Sequence, residues 1–353
     1  NCCLLTFYSL KEYMKKLFTK FHLNLNNKSI LITGGTGSFG KHFVKKVISQ
    51  YQPKRLVIFS RDELKQYDMS NELDEKKNKY LRFFLGDLRD KDRLKVAFKE
   101  IDIVVHAAAL KQVESSEYNP YECIKTNIIG SQNVITASLE NNVKKVIFIS
   151  TDKAANPINL YGATKLAAEK LFIAANNIKG KSITKFSVVR YGNVIGSRGS
   201  VIPVFIKCKQ KKLKFAPITH KDMTRFLISL DNGVNFVLSS LGTMNGGEIF
   251  VPKIPSIKIV DLAKLILPNH KTKIVGIRKG EKLDEVLVSK DESNELFESS
   301  DRFVIDPPLP FFKKKLDKRL KLKKVKKQFQ YSSNLNSYLL ERKNIQKNLD
   351  IKF

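Results

Sequence analysis

Cysteine is scarce in this chain. The four present, Cys2, Cys3, Cys123 and Cys208, have neither the paired spacing of a metal site nor that of a disulfide framework, and the five histidines are scattered. Structural zinc and other metals are therefore not expected, and a reduced, cytoplasmic setting is. Long apolar runs are also missing: none approaches the roughly 18 to 20 residues of a membrane span, so a soluble chain is expected. The apolar stretch Leu4-Leu5-Thr6-Phe7-Tyr8 gives way to Lys11, Glu12 and Lys15, too soon for a good signal peptide. Residue 1 is Asn, and Met14 stands at a plausible starting distance from the first strand; what precedes Met14 reads as an upstream translation artefact or a fragment.

Acidic residues are few, 34 against 64 Lys and Arg, and the formal charge of +30 invites a nucleic-acid reading. The distribution of lysine weakens it. Lysine is spread along the chain, and the one dense block, residues 313–327, lacks interleaved aromatics that could stack on bases. No nucleic-acid partner is expected, and the block reads as a solvated or oligomer-facing tail.

What is present is a rhythm. Between residues 29 and 190, short β-branched runs alternate with helical patterns, as βαβ units and a parallel sheet require. Strands are read at residues 29–33, 55–60, 80–85, 101–106, 144–150 and 185–190, with the first helix over 39–50. Successive apolar residues in these runs imply helices on both faces of the sheet. The fold class is thus α/β, a Rossmann-type doubly wound parallel sheet with a smaller C-terminal substrate-binding region. The expected division is an extension over residues 1–27, a dinucleotide-binding domain over 28–195, a substrate region over 196–310 with segments returning to the first domain, and a loosely packed basic extension over 311–353. No internal repeat is visible.

The turn Gly34-Gly35-Thr36-Gly37-Ser38-Phe39-Gly40 lies between the first strand and its helix, where backbone N–H groups and the helix N-terminus can approach a pyrophosphate. About 20 residues on, where the cofactor ribose is read, stand Ser60-Arg61-Asp62-Glu63. Arg61, with Ser60 beside it and Lys65 a helical turn away, suits a 2′-phosphate and hence NADP, unless Arg61 is taken up by Asp62 or Glu63. Asp87 and Leu88 after the third strand point to the adenine. Ala107 and Ala108 after the fourth let the chain pass close to the cofactor, though small alanines also serve packing.

In Tyr161-Gly162-Ala163-Thr164-Lys165 a phenol and an ammonium share one helix face. A cation beside the phenol lowers its pKa, so that it can take a hydroxyl proton while hydride leaves the same carbon. Ser150-Thr151-Asp152-Lys153 follows a strand at the carboxyl edge of the sheet, where ligands bind. Thr151 can hydrogen-bond a reacting hydroxyl, and Asp152 with Lys153 adds an acid and a base that simple alcohol oxidation does not need; a turn with an incidental ion pair is the plainer alternative.

Together with Ala108-Ala109-Leu110-Lys111, these motifs resemble the extended short-chain dehydrogenases. The resemblance is closest to the inverting UDP-N-acetylglucosamine 4,6-dehydratases that start pseudaminic acid synthesis, and it runs over residues 28–308 with an echo at Tyr331-Ser332-Ser333. It implies a UDP-sugar substrate, a homo-oligomer, and roles for matching residues. Asn193, Val201, Arg225 and Glu281 would hold the nucleotide sugar, Arg198 and Arg278 its diphosphate, while Lys111 would lie near cofactor and substrate and Val194 beside the cofactor. Three positions depart from the family pattern: Glu114 and Lys279 replace prolines, and Asp284 replaces a histidine.

On this reading Tyr161 takes the C4 hydroxyl proton as hydride passes to the cofactor. Lys153, if neutral, removes the acidified C5 proton, and Asp152 protonates the departing C6 hydroxyl. Hydride returns to C6. Relatives retaining C5 configuration carry Glu after the Asp, so Lys153 supports inversion. A UDP-hexose 4-epimerase and a non-catalytic NADP-binding regulator are the alternatives; the first has no use for Asp152-Lys153, and the second is favoured only by a broken catalytic group.

Overall fold

The computed structural model describes residues 17–74, 78–196, 200–211, 213–309, 311–312 and 315–340. Its central sheet has ten strands: β1 (Ser29–Thr33), β2 (Arg55–Ser60), β3 (Leu81–Leu85), β4 (Ile103–His106), β5 (Lys145–Thr151), β6 (Lys185–Tyr191), β7 (Ile249–Pro252), β8 (Leu296–Glu298), β9 (Arg302–Ile305) and β10 (Lys323–Lys324). The order is β10-β8-β9-β7-β6-β5-β4-β1-β2-β3, parallel from β3 to β7 and antiparallel beyond. The direction of winding reverses between β1 and β4, opening the crevice where this fold binds ligands. All residues of β1 and β4 are buried, as double cover by helices demands.

The boundaries expected from sequence shift slightly, for identifiable reasons. Ile101 and Asp102 precede β4 rather than starting it, because the Asp102 carboxylate turns back to accept from Ser29 N–H at 2.9 Å. Strand β5 runs on to Thr151 and β6 to Tyr191, paired with each other to the end. That extension carries Thr151 to the sheet rim.

A smaller unit beyond β6 packs its own core, including Ile202, Phe205, Ile218, Met223 and Leu262. Residues 249–252 and 296–305 then join the large sheet. Of the tail expected to be loosely packed, residues 315–340 are instead docked. Leu320 and Tyr331 enter the main core, Leu340 the smaller one, and Tyr331–Ser332 pairs antiparallel with Val286–Val288. Its lysine-rich composition concealed apolar residues, Leu316, Leu322, Val325 and Phe329, that pack on that core. Phe18 and Leu25 of the N-terminal stretch are also core residues, Phe18 meeting Phe236 edge-on at 4.8 Å between ring centres. Met14 and the residues before it lie outside the described residues, as do Cys2 and Cys3. Among the described residues no helix is long and apolar enough to cross a membrane.

At the end of β4, His106 is fully buried, bonded to Thr33 Oγ1 at 2.7 Å and Ser131 Oγ at 3.1 Å. Burial, helped by the charge of Lys165, lowers its pKa to about 3, so the native ring is neutral. The unfolded chain takes up a proton below about pH 6.5 and the native one does not. Unfolding is therefore favoured progressively as pH falls from about 6.5 towards 3. Denaturant titrations at pH 7 and pH 5 should show a smaller pH-dependent loss for His106→Gln than for the wild type; equal losses would contradict a neutral buried His106.

Candidate active site

The crevice at the carboxyl edge forms a continuous cleft of about 1020 Å³. The glycine turn forms one wall. Gly34 adopts a φ of +67°, and a Cβ on Gly40 would come within 2.5 Å of the Gly34 carbonyl and of Gly35. Only glycine lets helix α1 (Ser38–Gln50) start so close to β1, and its first N–H groups thereby face the cleft. Thr36, Gly37, Ser38 and Phe39 line the same wall.

Ser60, Arg61, Asp62 and Lys65 come together at the tip of β2, with Asp87 and Leu88 beside them. Asp62 caps the helix Glu63–Leu73 by accepting from Lys65 N–H and also pairs with the Lys65 ammonium. Arg61 makes its ion pair with Asp87 rather than Asp62, at 3.8 Å, and its side chain is 57% exposed. Glu63, proposed from sequence, does not line the cleft; it occupies the helix's first turn. Ala107, Ala108 and Lys111 also line the cleft, the two alanines packed against Gly34.

The second helix needed here, α2 (Leu160–Ile178), is capped by Asn159, whose side chain accepts from Gly162 N–H at 2.8 Å. A Cβ at Gly162 would strike the Lys153 carbonyl, so glycine at this point lets α2 press against the Asp152–Ala154 turn. Tyr161 on α2 is thereby brought to Thr151, Asp152 and Lys153. Thr151 Oγ1 donates to Asp152 Oδ1 at 2.8 Å, and Lys153 Nζ donates to the same oxygen at 3.0 Å.

The charge states differ from those expected. Burial pushes the Tyr161 phenol up to about 12; Lys153 and a hydrogen bond with Thr151 act the other way. The cation expected to activate it, Lys165, donates instead to the Ile149 carbonyl at 2.6 Å and lies over the Phe148 ring, and burial lowers its pKa to about 7. Lys153, expected as a neutral base, has its proton held more tightly than usual. Burial opposes its charge, but the carboxylates of Asp152 and Glu285 outweigh burial.

Glu285, absent from the sequence expectations, is 3.1 Å from Lys153 Nζ with its side chain 3% exposed. No motif pointed to it. Arg225 lines the cleft but turns its guanidinium onto the 281–285 loop, bonding the Thr224, Lys282 and Leu283 carbonyls and approaching Glu281 at 3.4 Å. Asn193, Val194, Val201, Arg278 and Glu281 also line the cleft, and Asn193 Oδ1 is buried there without a protein partner. Arg198 lies outside the described residues. Of the departing positions, Glu114 and Lys279 line the cleft, whereas Asp284 accepts from Thr224 Oγ1 at 2.6 Å.

A nicotinamide dinucleotide fits these walls: the glycines let the turn fold tightly between β1 and α1, leaving the helix N-terminus open to a pyrophosphate, and Tyr161 and Lys165 line the same cleft.

Comparison with known proteins agrees with this geometry. The chain is 54% identical over 316 residues, 88% of this chain and 94% of the relative, to UDP-N-acetylglucosamine 4,6-dehydratase (inverting) of Campylobacter jejuni. It is 47% identical over 274 residues, 75% of this chain and 79% of the relative, to UDP-glucose 4-epimerase of Rickettsia bellii. The X-ray structure of Pen from Bacillus thuringiensis superposes with a TM-score of 0.83 at 37% identity, covering 93% of this chain and 99% of that one. Residues 30–307 match the family described as polysaccharide biosynthesis protein, and the chain belongs to that family.

Proposed function

We propose that this chain is a C5-inverting UDP-N-acetylglucosamine 4,6-dehydratase, a hydro-lyase that oxidises C4 transiently, removes water across C5–C6 and yields a 4-keto-6-deoxy sugar nucleotide. The observation that carries this reading is the Asp152–Lys153 pair placed against Tyr161 in the nucleotide cleft. An epimerase needs the phenol but no acid and base at C6 and C5. The 54% identity with a dehydratase named as inverting supports the same choice.

When bound, the nicotinamide takes hydride from C4 and returns it to C6. The chain's residues handle the protons. Thr151 and Tyr161 face the C4 hydroxyl, and the phenol removes its proton; burial pushes Tyr161 up to about 12 even with Lys153 and Thr151 acting the other way, so it depends on further positive charge to do so at neutral pH. With C4 a carbonyl, the C5 proton becomes acidic and passes to the Lys153 amine. Asp152, whose Oδ2 is buried without a protein partner, supplies a proton to the C6 hydroxyl as it leaves. Asn193, Val201, Arg278 and Glu281 would bind the UDP moiety, joined by Arg198.

Arg61 supports NADP over NAD, because a guanidinium at the tip of β2 matches a 2′-phosphate and Asp62 is already engaged by Lys65. Arg61→Ala should weaken NADP binding about 10- to 100-fold while leaving NAD binding nearly unchanged, read by fluorescence titration of each cofactor. Equal loss for both would count against the assignment.

Incubation with UDP-N-acetylglucosamine in deuterated water tests the reaction itself. NMR should show loss of water, deuterium at C5 and coupling constants of the inverted L-arabino product, and Lys153→Ala should abolish the C5 exchange. Conversion to the C4 epimer without water loss would establish the epimerase instead, and exchange surviving in Lys153→Ala would remove Lys153 from its role.

A further inference from the structure

Glu285 is a charged group of the cleft that the reaction as described leaves unused. It precedes the strand Val286–Val288 and is 2% exposed overall. Its backbone is fixed on both sides by Ser333: Glu285 N–H donates to Ser333 Oγ at 2.9 Å, and Ser333 N–H donates to the Glu285 carbonyl at 2.8 Å. Oε1 lies 3.1 Å from Lys153 Nζ and 3.7 Å from Arg225 Nε, while Oε2 is buried without a protein partner. Asp152 alone would neutralise Lys153. Glu285 is a second buried carboxylate on that ammonium, and Arg225 beside it helps offset the cost of its burial.

Following the protons shows what it can do. For Lys153 to become a base, an N–H bond of its ammonium breaks and an O–H bond forms on Asp152, 3.0 Å away. One transfer thus creates both the amine for C5 and the acid for the C6 hydroxyl. When C5–H breaks, its proton bonds to Nζ and its electron pair is held by the C4 carbonyl as an enolate. As that carbonyl re-forms, the pair becomes the C5–C6 π bond while the C6–O bond breaks, and hydroxide leaves with the Asp152 proton as water. At that moment Asp152 faces the leaving oxygen, and the new ammonium needs a counter-charge.

We propose that Glu285 is a positioning residue for C5 deprotonation: its carboxylate aims Lys153 Nζ into the cleft and stabilises the ammonium as it forms. The role parallels that of the carboxylate that orients and stabilises the base of a Ser-His-Asp triad. It rests on the dehydratase reading above. The charged and titratable groups facing Lys153 are Asp152, Glu285, Arg225, Lys282 and Tyr161. Among them Glu285 is the carboxylate that no proton-transfer step consumes.

The test separates two steps in single turnovers of the wild-type enzyme and its variants in deuterated water. Reduced-nicotinamide absorbance reports C4 oxidation, and NMR reports deuterium at C5. Glu285→Gln should slow C5 exchange by ~10²-fold and leave C4 oxidation within about twofold. Loss of the anion also favours the Lys153 amine, so the pH of half-maximal exchange should fall; Glu285→Asp should recover part of the rate. Unchanged exchange with an unchanged pH profile would overturn the proposal, as would equal loss of both steps with a lowered melting temperature. Should Glu285→Gln not fold, Glu285→Asp carries the test, and wild-type rates for both steps would overturn the proposal. A wild-type enzyme that neither loses water nor exchanges C5 would sink the dehydratase reading, whereas wild-type turnover with indifferent Glu285 variants sinks only this one.

Discussion

A guanidinium with no exposed surface holds the parts of this molecule in register. Arg190, near the end of β6, donates to Glu169 of α2 at 2.6 Å, to Glu292 at 2.9 Å and to the Leu287 carbonyl at 3.0 Å. A buried charge is tolerable only when its partners are all in place. Arg190 therefore couples the sheet, the helix bearing Tyr161 and Lys165, and the strand that Glu285 precedes. The cleft has a defined width because those elements cannot part without exposing that charge to an apolar interior. The arrangement makes the Rossmann half and the C-terminal half one structural unit, although the chain between them builds a core of its own.

Local features of the site were legible in the sequence because local chemistry determines them. Gly34 and Gly40 signal a turn only glycine can make, and Tyr161 and Lys165 share a face through helical period alone. The alternation of apolar runs with helical patterns sufficed for the parallel sheet. What stayed hidden depends on contacts between distant residues. Nothing near Lys153 in the chain announces Glu285, the second carboxylate that holds its proton. Lys165 was paired with the phenol from spacing, yet its ammonium turns to the Ile149 carbonyl. Lysine-rich composition masked the apolar spacing that docks residues 315–340, and Glu63 was named for proximity to Arg61 although its helix carries it away.

Three ionisable groups within one cleft are thus driven in different directions. Burial dominates at Tyr161 and Lys165, favouring the neutral form of each, whereas paired carboxylates dominate at Lys153 and favour the ion. A dehydration needs such contrast, since acid and base have to coexist a few ångströms apart without quenching each other.

The double hydrogen bond between Ser333 and Glu285 has a consequence for biosynthesis. The nucleotide wall is encoded early in the chain. The carboxylate opposite Lys153, however, is clamped only once the segment around Tyr331–Ser333 has left the ribosome. Loss of the segment around Tyr331–Ser333 would therefore release the carboxylate opposite Lys153 and also take Tyr331 out of the main core.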